Sequence, residues 1–187
     1  MKKVKLQMQL SLDGFVGGPN GELDWMTWNW DDGIKSYVTD LTNSIDCILL
    51  GAHMPAGFIG HWGSVAADPQ NPDYPFGKIM CNTQKVVFTK TLEKSVWNNT
   101  VLAKGDLAEE VNRLKAGHGK DIIVYGGANF VSSMIKENLI DEYHLFINPV
   151  IIGNGLSIFN AVENRLNLKL VKASSFECGV TALHYQK

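Results

Sequence analysis

Ile122 to Gly155, IIVYGGANFVSSMIKENLIDEYHLFINPVIIGNG, holds the residues whose types and spacing most directly imply chemistry. The run reads as a strand ending at Gly126-Gly127, a helix opening at Ala128 and Asn129, a second strand and another glycine-rich turn. A glycine pair lets the backbone approach a ligand with no Cβ in between. The first N–H groups of the following helix have no intrahelical acceptor, so such a corner can hold a phosphate. The same pair can exist solely to pack a helix closely on a sheet, and the segment by itself supports both readings equally. A second group lies near the start, where SLDGFVGGPNGELDW carries Asp13 and Trp25. Asp13-Gly14 reads as a turn that positions the loop, with a carboxylate that either touches a substrate or closes an Asx-type turn. Trp25, and less directly Trp28 and Trp30, offer a flat face for a heterocycle or simply pack the loop.

The elements that must position these groups alternate between strand and helix. Val4 to Leu10 alternates apolar and polar as a strand, and the glycines and proline of the following loop end it. A helix is predicted from about Asp32, with Asp32 as its N-cap and Ile34, Tyr37, Val38, Leu41 and Ile45 at helical spacing. Asp46 to Gly51 reads as a buried strand. Residues 52 to 83 have no sustained period and read as a long excursion with at most short helical turns. Phe58, Trp62, Tyr74 and Phe76 mark it as an ordered flap and not a linker. Lys85–Thr89 and Thr100–Ala103 read as short strands, and Asp106-Leu-Ala-Glu109 is a capping box that opens a helix stopping near Gly117. Ile122–Tyr125 is a buried strand, Ala128–Asn138 a helix, and Tyr143–Ile152, Leu168–Ser174 and Val180–Tyr185 complete the sheet. This order implies one α/β domain over 1–187, with a mostly parallel sheet and an antiparallel C-terminal hairpin. Ligands of such sheets bind at the carboxyl ends of the strands, so the turns after Leu50, Phe88 and Tyr125 are expected to converge.

Composition narrows the functions open to such a domain. With 187 residues, 45% hydrophobic and 19% charged, the chain can bury a sizeable core. A net charge of -2 and the lack of any basic block exclude nucleic acid and an anionic membrane as partners, and leave a small-molecule substrate. Met-Lys-Lys leads into alternation and not an apolar run, so a cytoplasmic protein is expected. Cys47, Cys81 and Cys178 are widely spaced, and the histidines show no H-E-x-x-H or i,i+4 pair, so neither disulfides nor a metal are expected. The chain also lacks the G-x-S-x-G elbow and the G-x-G-x-x-G fingerprint.

Taken in order, several pieces resemble the dihydrofolate reductase-like superfamily: SLDGFVGGPNGELDW, ILLG at 48–51, KVVFTKTL at 85–92, IIVYGGANF at 122–130 and LIDEYHLFINPVIIGNGLSIF at 139–159. Within it they are most similar to the reductase domain of riboflavin biosynthesis and its small stand-alone bacterial relatives. The resemblance implies a three-layer fold with helices on both faces of the sheet, and a reductase that uses NADPH. It implies a pyrophosphate-binding turn at Gly126, Gly127, Ala128 and Asn129, and a polar turn for the adenosine 2′-phosphate at Thr89, Lys90 and Thr91.

One turn departs from the family pattern. Where the family commonly has Gly-Arg-x-Thr before an aromatic residue, this chain has Gly51-Ala52-His53-Met54-Pro55. Gly51 is kept, and His53 stands where an imidazole can still meet a phosphate. A lost charge-assisted contact costs about 1.5–3 kcal/mol, roughly one to two decades of affinity. A second departure concerns the carboxylate that dihydrofolate reductases carry on the first helix. Here only Asp31 and Asp32 stand at its mouth, which makes the riboflavin-type reductase the nearer relative. The implied activity is hydride transfer from NADPH to a C=N or C=O bond of a small heterocycle, with 5-amino-6-(5-phosphoribosylamino)uracil as the type substrate. Dihydrofolate reductase is the alternative within this class, and a non-catalytic nucleotide-binding protein the alternative outside it. The resemblance and the apolar C-terminal strands together imply a homodimer.

Overall fold

In the computed structural model, which describes residues 1–187, the elements follow in chain order as β1 (Val4–Leu10), α1 (Asp32–Asn43), β2 (Ile45–Gly51), α2 (Pro55–Ala67), α3 (Tyr74–Asn82), β3 (Gln84–Phe88), β4 (Thr100–Ala103), α4 (Leu107–Ala116), β5 (Asp121–Gly126), α5 (Ala128–Lys136), β6 (Glu142–Ile147), β7 (Lys169–Ser175) and β8 (Thr181–Gln186). The strands make one eight-stranded sheet in the order β4-β3-β2-β5-β1-β6-β8-β7. Every pairing from β4 to β6 is parallel, and β8 runs antiparallel between β6 and β7. The α/β sheet with an antiparallel C-terminal end is thus the one its sequence pattern implies.

Alternation along β1 divides the domain into two unlike faces. Val4, Leu6, Met8 and Leu10 join Leu49, Val124, Val131, Met134 and Ile135 in the larger apolar cluster beneath α4 and α5. Each fully buried Leu or Ile there contributes roughly 1.5–3 kcal/mol. On the opposite face, Ile34 and Val38 of α1 pack on Phe146, Val180 and Ala182, while Leu41 joins Ile48, Leu50, Ile123 and Met80. Between these patches Lys5 and Gln7 are buried with Glu142 and His144, a polar layer in the middle of the sheet. Lys5 Nζ meets Asp121 Oδ2 at 3.0 Å and donates to Ser44 Oγ at 2.9 Å, so its charge is paired.

The excursion at 52 to 83 is ordered as expected of a flap, but it is helical throughout much of its length and not a loop with short turns. Pro55 and Pro75 each sit in a first turn, where a missing N–H costs nothing. Gly57, Gly60 and Gly63 hide the helical period of α2, because each lowers intrinsic helix propensity by about 1 kcal/mol. Tertiary packing overrides that. Trp62 meets Phe76 at 5.0 Å between ring centroids and Phe58 meets Tyr125 at 5.3 Å, which fastens the pair of helices over β2, β3 and β5. A Cβ at Gly77 would lie 2.8 Å from Val65 Cγ1, so this glycine sets the closeness of α2 and α3. By contrast, a Cβ at Gly60 would meet nothing within 4 Å. Gly60→Ala should therefore stabilise the protein by about 0.5–1 kcal/mol, raising the midpoint in a thermal melt by roughly 1–4 °C.

Four boundaries differ from the sequence expectation. Asp31, not Asp32, caps α1, because its Oδ1 accepts from Ile34 N–H at 3.0 Å while Oδ2 accepts from Cys178 N–H at 2.9 Å. Ile45 opens β2 and does not continue the helix. Helix α5 ends at Lys136, and Asn138 then takes the left-handed conformation with φ 56°. Strand β6 stops at Ile147, where Asn148 and Pro149 turn the chain away.

Candidate cofactor site at the carboxyl ends of the strands

Strand β1 sends its chain through α1 to β2 on one side, while its neighbour β5 sends its chain through α5 to β6 on the other. Connections that part in this way leave a crevice outside the carboxyl ends of the two strands. The loop after β1 and the Gly126-Gly127 corner after β5 form its walls. Gly126 has φ +137°, a conformation open only to glycine, and the peptide to Gly127 is cis. Gly127 occupies the N-cap position of α5 with φ -77° and ψ 179°, and no side chain caps this end. The N–H groups of Ala128 and Asn129 are thus directed outward at the corner, with the positive end of the helix dipole behind them.

The neighbouring turn fits against this corner. Leu50 pairs in register with Gly126, so β2 delivers Gly51 beside Gly127. A Cβ at Gly51 would stand 2.8 Å from Phe130 Cβ and 3.3 Å from Gly127 N, which gives Gly51 a packing role in seating α5. Met54 N–H donates to Gly51 O at 3.0 Å and closes the turn, with His53 exposed at its tip. The Met54 thioether then lies over the glycines: Cβ atoms built on Gly126 and Gly127 would be 3.6 Å and 3.9 Å from its Sδ. Met54 was not among the residues marked by sequence as lining the site, although its place in the departing turn was the available signal.

The polar turn after β3 is next along the sheet. Thr89 is buried, and its Oγ1 accepts from the N–H groups of Thr91 and Leu92 at 3.2 and 3.1 Å, which fixes the turn. Lys90 Nζ donates to the carbonyls of Lys104 and Gly105, both at 2.8 Å. The ammonium is exposed but tethered, so meeting a phosphate there would require it to exchange these acceptors.

Across the crevice, the loop after β1 is stitched to the segment after β6. Asp13 accepts from Ile152 N–H at 3.2 Å and Gly153 N–H at 2.8 Å. The Ser11 hydroxyl, followed by these two backbone groups, holds its carboxyl below the ordinary range. Asn148, fully inaccessible, is the stronger clamp: Oδ1 accepts from Thr27 N–H at 2.9 Å, while Nδ2 donates to Gln9 Oε1, also at 2.9 Å. Sequence reading missed this role, for which the Asn-Pro pair after a strand was the only signal. Trp25 anchors its indole N–H on Glu22 O at 3.0 Å and belongs to none of the three apolar clusters, so its half-buried ring is free to stack. Trp30, in contrast, is stacked on Phe146. Asp31 is committed to two backbone N–H groups, which hold its carboxyl low, Cys178 first and Ile34 next.

A family model described as the RibD C-terminal domain matches residues 2–182. The chain belongs to the RibD C-terminal domain family. A relative of unassigned role, YyaP of Bacillus subtilis (strain 168), is 36% identical over 98% of this chain and 94% of its own length. Riboflavin biosynthesis protein RibD of Corynebacterium ammoniagenes is 23% identical over 83% of this chain, a match that spans 45% of that protein. Among solved structures, a Shewanella sp. PV-4 protein named for riboflavin biosynthesis superposes with TM-score 0.72 at 22% identity, covering 100% of this chain and 98% of the other. The Thermotoga maritima diaminohydroxyphosphoribosylaminopyrimidine deaminase/5-amino-6-(5-phosphoribosylamino)uracil reductase gives 0.69 at 19%, covering 99% of this chain and 56% of that one. These structures share the fold, with helices on both faces of the sheet. No helix is long and apolar enough to cross a membrane.

Proposed function

We propose that this RibD C-terminal domain protein is an NADPH-dependent reductase acting on a C=N or C=O bond of a small heterocycle related to 5-amino-6-(5-phosphoribosylamino)uracil. The observation that carries the reading is the uncapped start of α5 at the Gly126-Gly127 corner, opening on the crevice between β1 and β5. That geometry fits a pyrophosphate, with Ala128 and Asn129 N–H groups as donors. Bound NADPH would supply the hydride, and the chain's own residues would orient the acceptor and exclude water. The loop held by Asp13 and Asn148 forms the opposite wall, with Trp25 available to stack on a flat ring. Asp13 and Asp31 each accept from two backbone N–H groups, contacts that favour the ionised carboxylate over a proton donor for a pteridine, in keeping with the riboflavin-type substrate.

A second reading, a nucleotide-binding protein without turnover, is favoured by Met54, whose thioether partly covers the corner. Tryptophan fluorescence during an NADPH titration, followed by an absorbance screen with dihydrofolate and the ribosylaminopyrimidine, separates them. Saturable quenching with oxidation of NADPH by the ribosylaminopyrimidine is the expected result. Binding without turnover of any reducible heterocycle would favour the second reading, and no binding would overturn both.

A homodimer is part of the same proposal. Strand β7 forms a free sheet edge and is exposed almost throughout, with Leu170 and Val171 at 51% and 44% accessibility. A second copy related by a two-fold axis would cover it. Light scattering should give twice the 20.7 kDa of one chain at micromolar concentration, and the monomer mass throughout that range would count against the interface.

A further inference from the structure

At the amino end of β6, away from the cofactor crevice, the polar layer gathers three groups with metal-binding chemistry. Glu142 and His144 lie two residues apart on one face of β6, and antiparallel register sets His184 of β8 directly opposite His144. The His144 and His184 rings stack at 4.2 Å between centroids, and each Nε2 stands 3.6 Å from Glu142 Oε2. One ligand atom from each of the three residues lies within 4.8 Å of the others. Ligand atoms at the corners of a zinc tetrahedron, with bonds of about 2.0–2.1 Å, are roughly 3.3 Å apart, close to the 3.6 Å from each Nε2 to Glu142 Oε2; because an imidazole binds in its ring plane, one of the two stacked rings must turn out of the stack for both to reach one ion.

The hydrogen bonds around the cluster leave its ligand atoms turned toward one another. His144 is 5% exposed, and its Nε2 and that of His184 are both buried without a hydrogen-bond partner. The other ring nitrogen of His144, Nδ1, is 2.7 Å from Tyr37 Oη. This fixes the ring and, with Nδ1 protonated, leaves the Nε2 lone pair aimed at the cluster. Lys3 Nζ engages Glu142 at Oε1, at 2.6 Å, leaving Oε2 for the histidine side. Lys5 is turned to Asp121 and Ser44. Gln7, in register with His144, adds an Oε1 that is likewise buried and unpaired. The side chain of His184 retains 19% accessibility, which gives an entry path.

We infer that Glu142, His144 and His184 form a site for a divalent transition-metal ion of the zinc type, tying β6 to β8 and, through Tyr37, to α1. Imidazole nitrogens with one carboxylate oxygen suit such an ion, whereas calcium and magnesium favour oxygen-only shells. Linear spacing gives no hint of the cluster, since His184 arrives through strand pairing.

The test uses full-length protein stripped of metal with a chelator and titrated with Zn²⁺ by calorimetry, and with Co²⁺ by visible absorption. One equivalent of Zn²⁺ should bind and raise the melting temperature, and Co²⁺ should develop ligand-field bands. His184→Gln should weaken Zn²⁺ at least tenfold, and Tyr37→Phe should weaken it by roughly 10–100-fold by removing the hydrogen bond to Nδ1. His61→Gln, at an exposed histidine, should leave binding unchanged. Glu142→Gln, close in size to the native residue, repeats the test if His184→Gln fails to fold. Absence of Zn²⁺ binding to the native chain, or equal affinity in the native chain and the cluster variants, overturns the site.

Discussion

Gly127→Asp should abolish NADPH binding while leaving the fold intact. Gly127 sits at the N-cap of α5 with ordinary extended dihedrals, and a Cβ there would meet only Met54, at 3.8 Å from Cγ. Aspartate is among the best N-cap residues, so the introduced carboxylate should accept from the Asn129 or Phe130 N–H and add a few tenths of a kcal/mol of stability. The Asn129 N–H is also one of the donors proposed for a pyrophosphate. A phosphate brought within about 4 Å of the carboxylate meets a repulsion of roughly 4 kcal/mol at an effective dielectric of 20, about three decades of affinity. Gly127→Ala separates shape from charge, because its methyl group fills the same space without the repulsion. Thermal melts should show the Asp variant at least as stable as the native chain, with no saturable fluorescence response to NADPH. A folded variant with native affinity would remove the phosphate from this corner.

The double change Ala52→Arg and Met54→Thr should act in the opposite direction. The Met54 side chain leans over Gly126 and Gly127, so position 54 faces the corner directly, and Ala52 is half-buried where the turn leaves β2. Threonine would shorten the group that covers the glycines and restore a hydroxyl. Arginine would restore a charge-assisted donor worth about 1.5–3 kcal/mol, so NADPH should tighten by one to two decades. NADH should gain less, since it lacks the 2′-phosphate. The gain should shrink with added salt, because a partly exposed arginine–phosphate pair is screened within about 10 Å at 0.1 M. If neither nucleotide tightens, the cofactor does not use this turn, and the binding protein without turnover becomes the better description.

Much of the framework was legible in the sequence because it is governed by local rules. Asp106 caps α4 through Ala108 and Glu109 N–H groups, as its place before an apolar helical face implies. The buried runs of β2 and β5, and the glycine pair that ends one of them, carry their periodicity and turn chemistry within a few residues. Helices α2 and α3 were not legible. Glycines at every third position of α2 erase the local preference, and only aromatic packing on Tyr125 and Met80 restores it.

The site divides along the same line. Residue types placed Gly126, Gly127, Ala128 and Asn129 at a helix start, and the fold adds that the start is uncapped and faces a crevice. Whether a polar side chain is free or spent depends on distant partners. Asp13 is spent on Ile152 and Gly153, Asp31 on Cys178, and the Thr89 hydroxyl on its own turn, while Met54 covers glycines more than seventy residues away. The sequence by itself determined the strands, the turns and the order in which they follow. Only the tertiary structure decided which donors remain unpaired and which side chains meet, because strand register joins residues such as His144 and His184 that no local pattern connects.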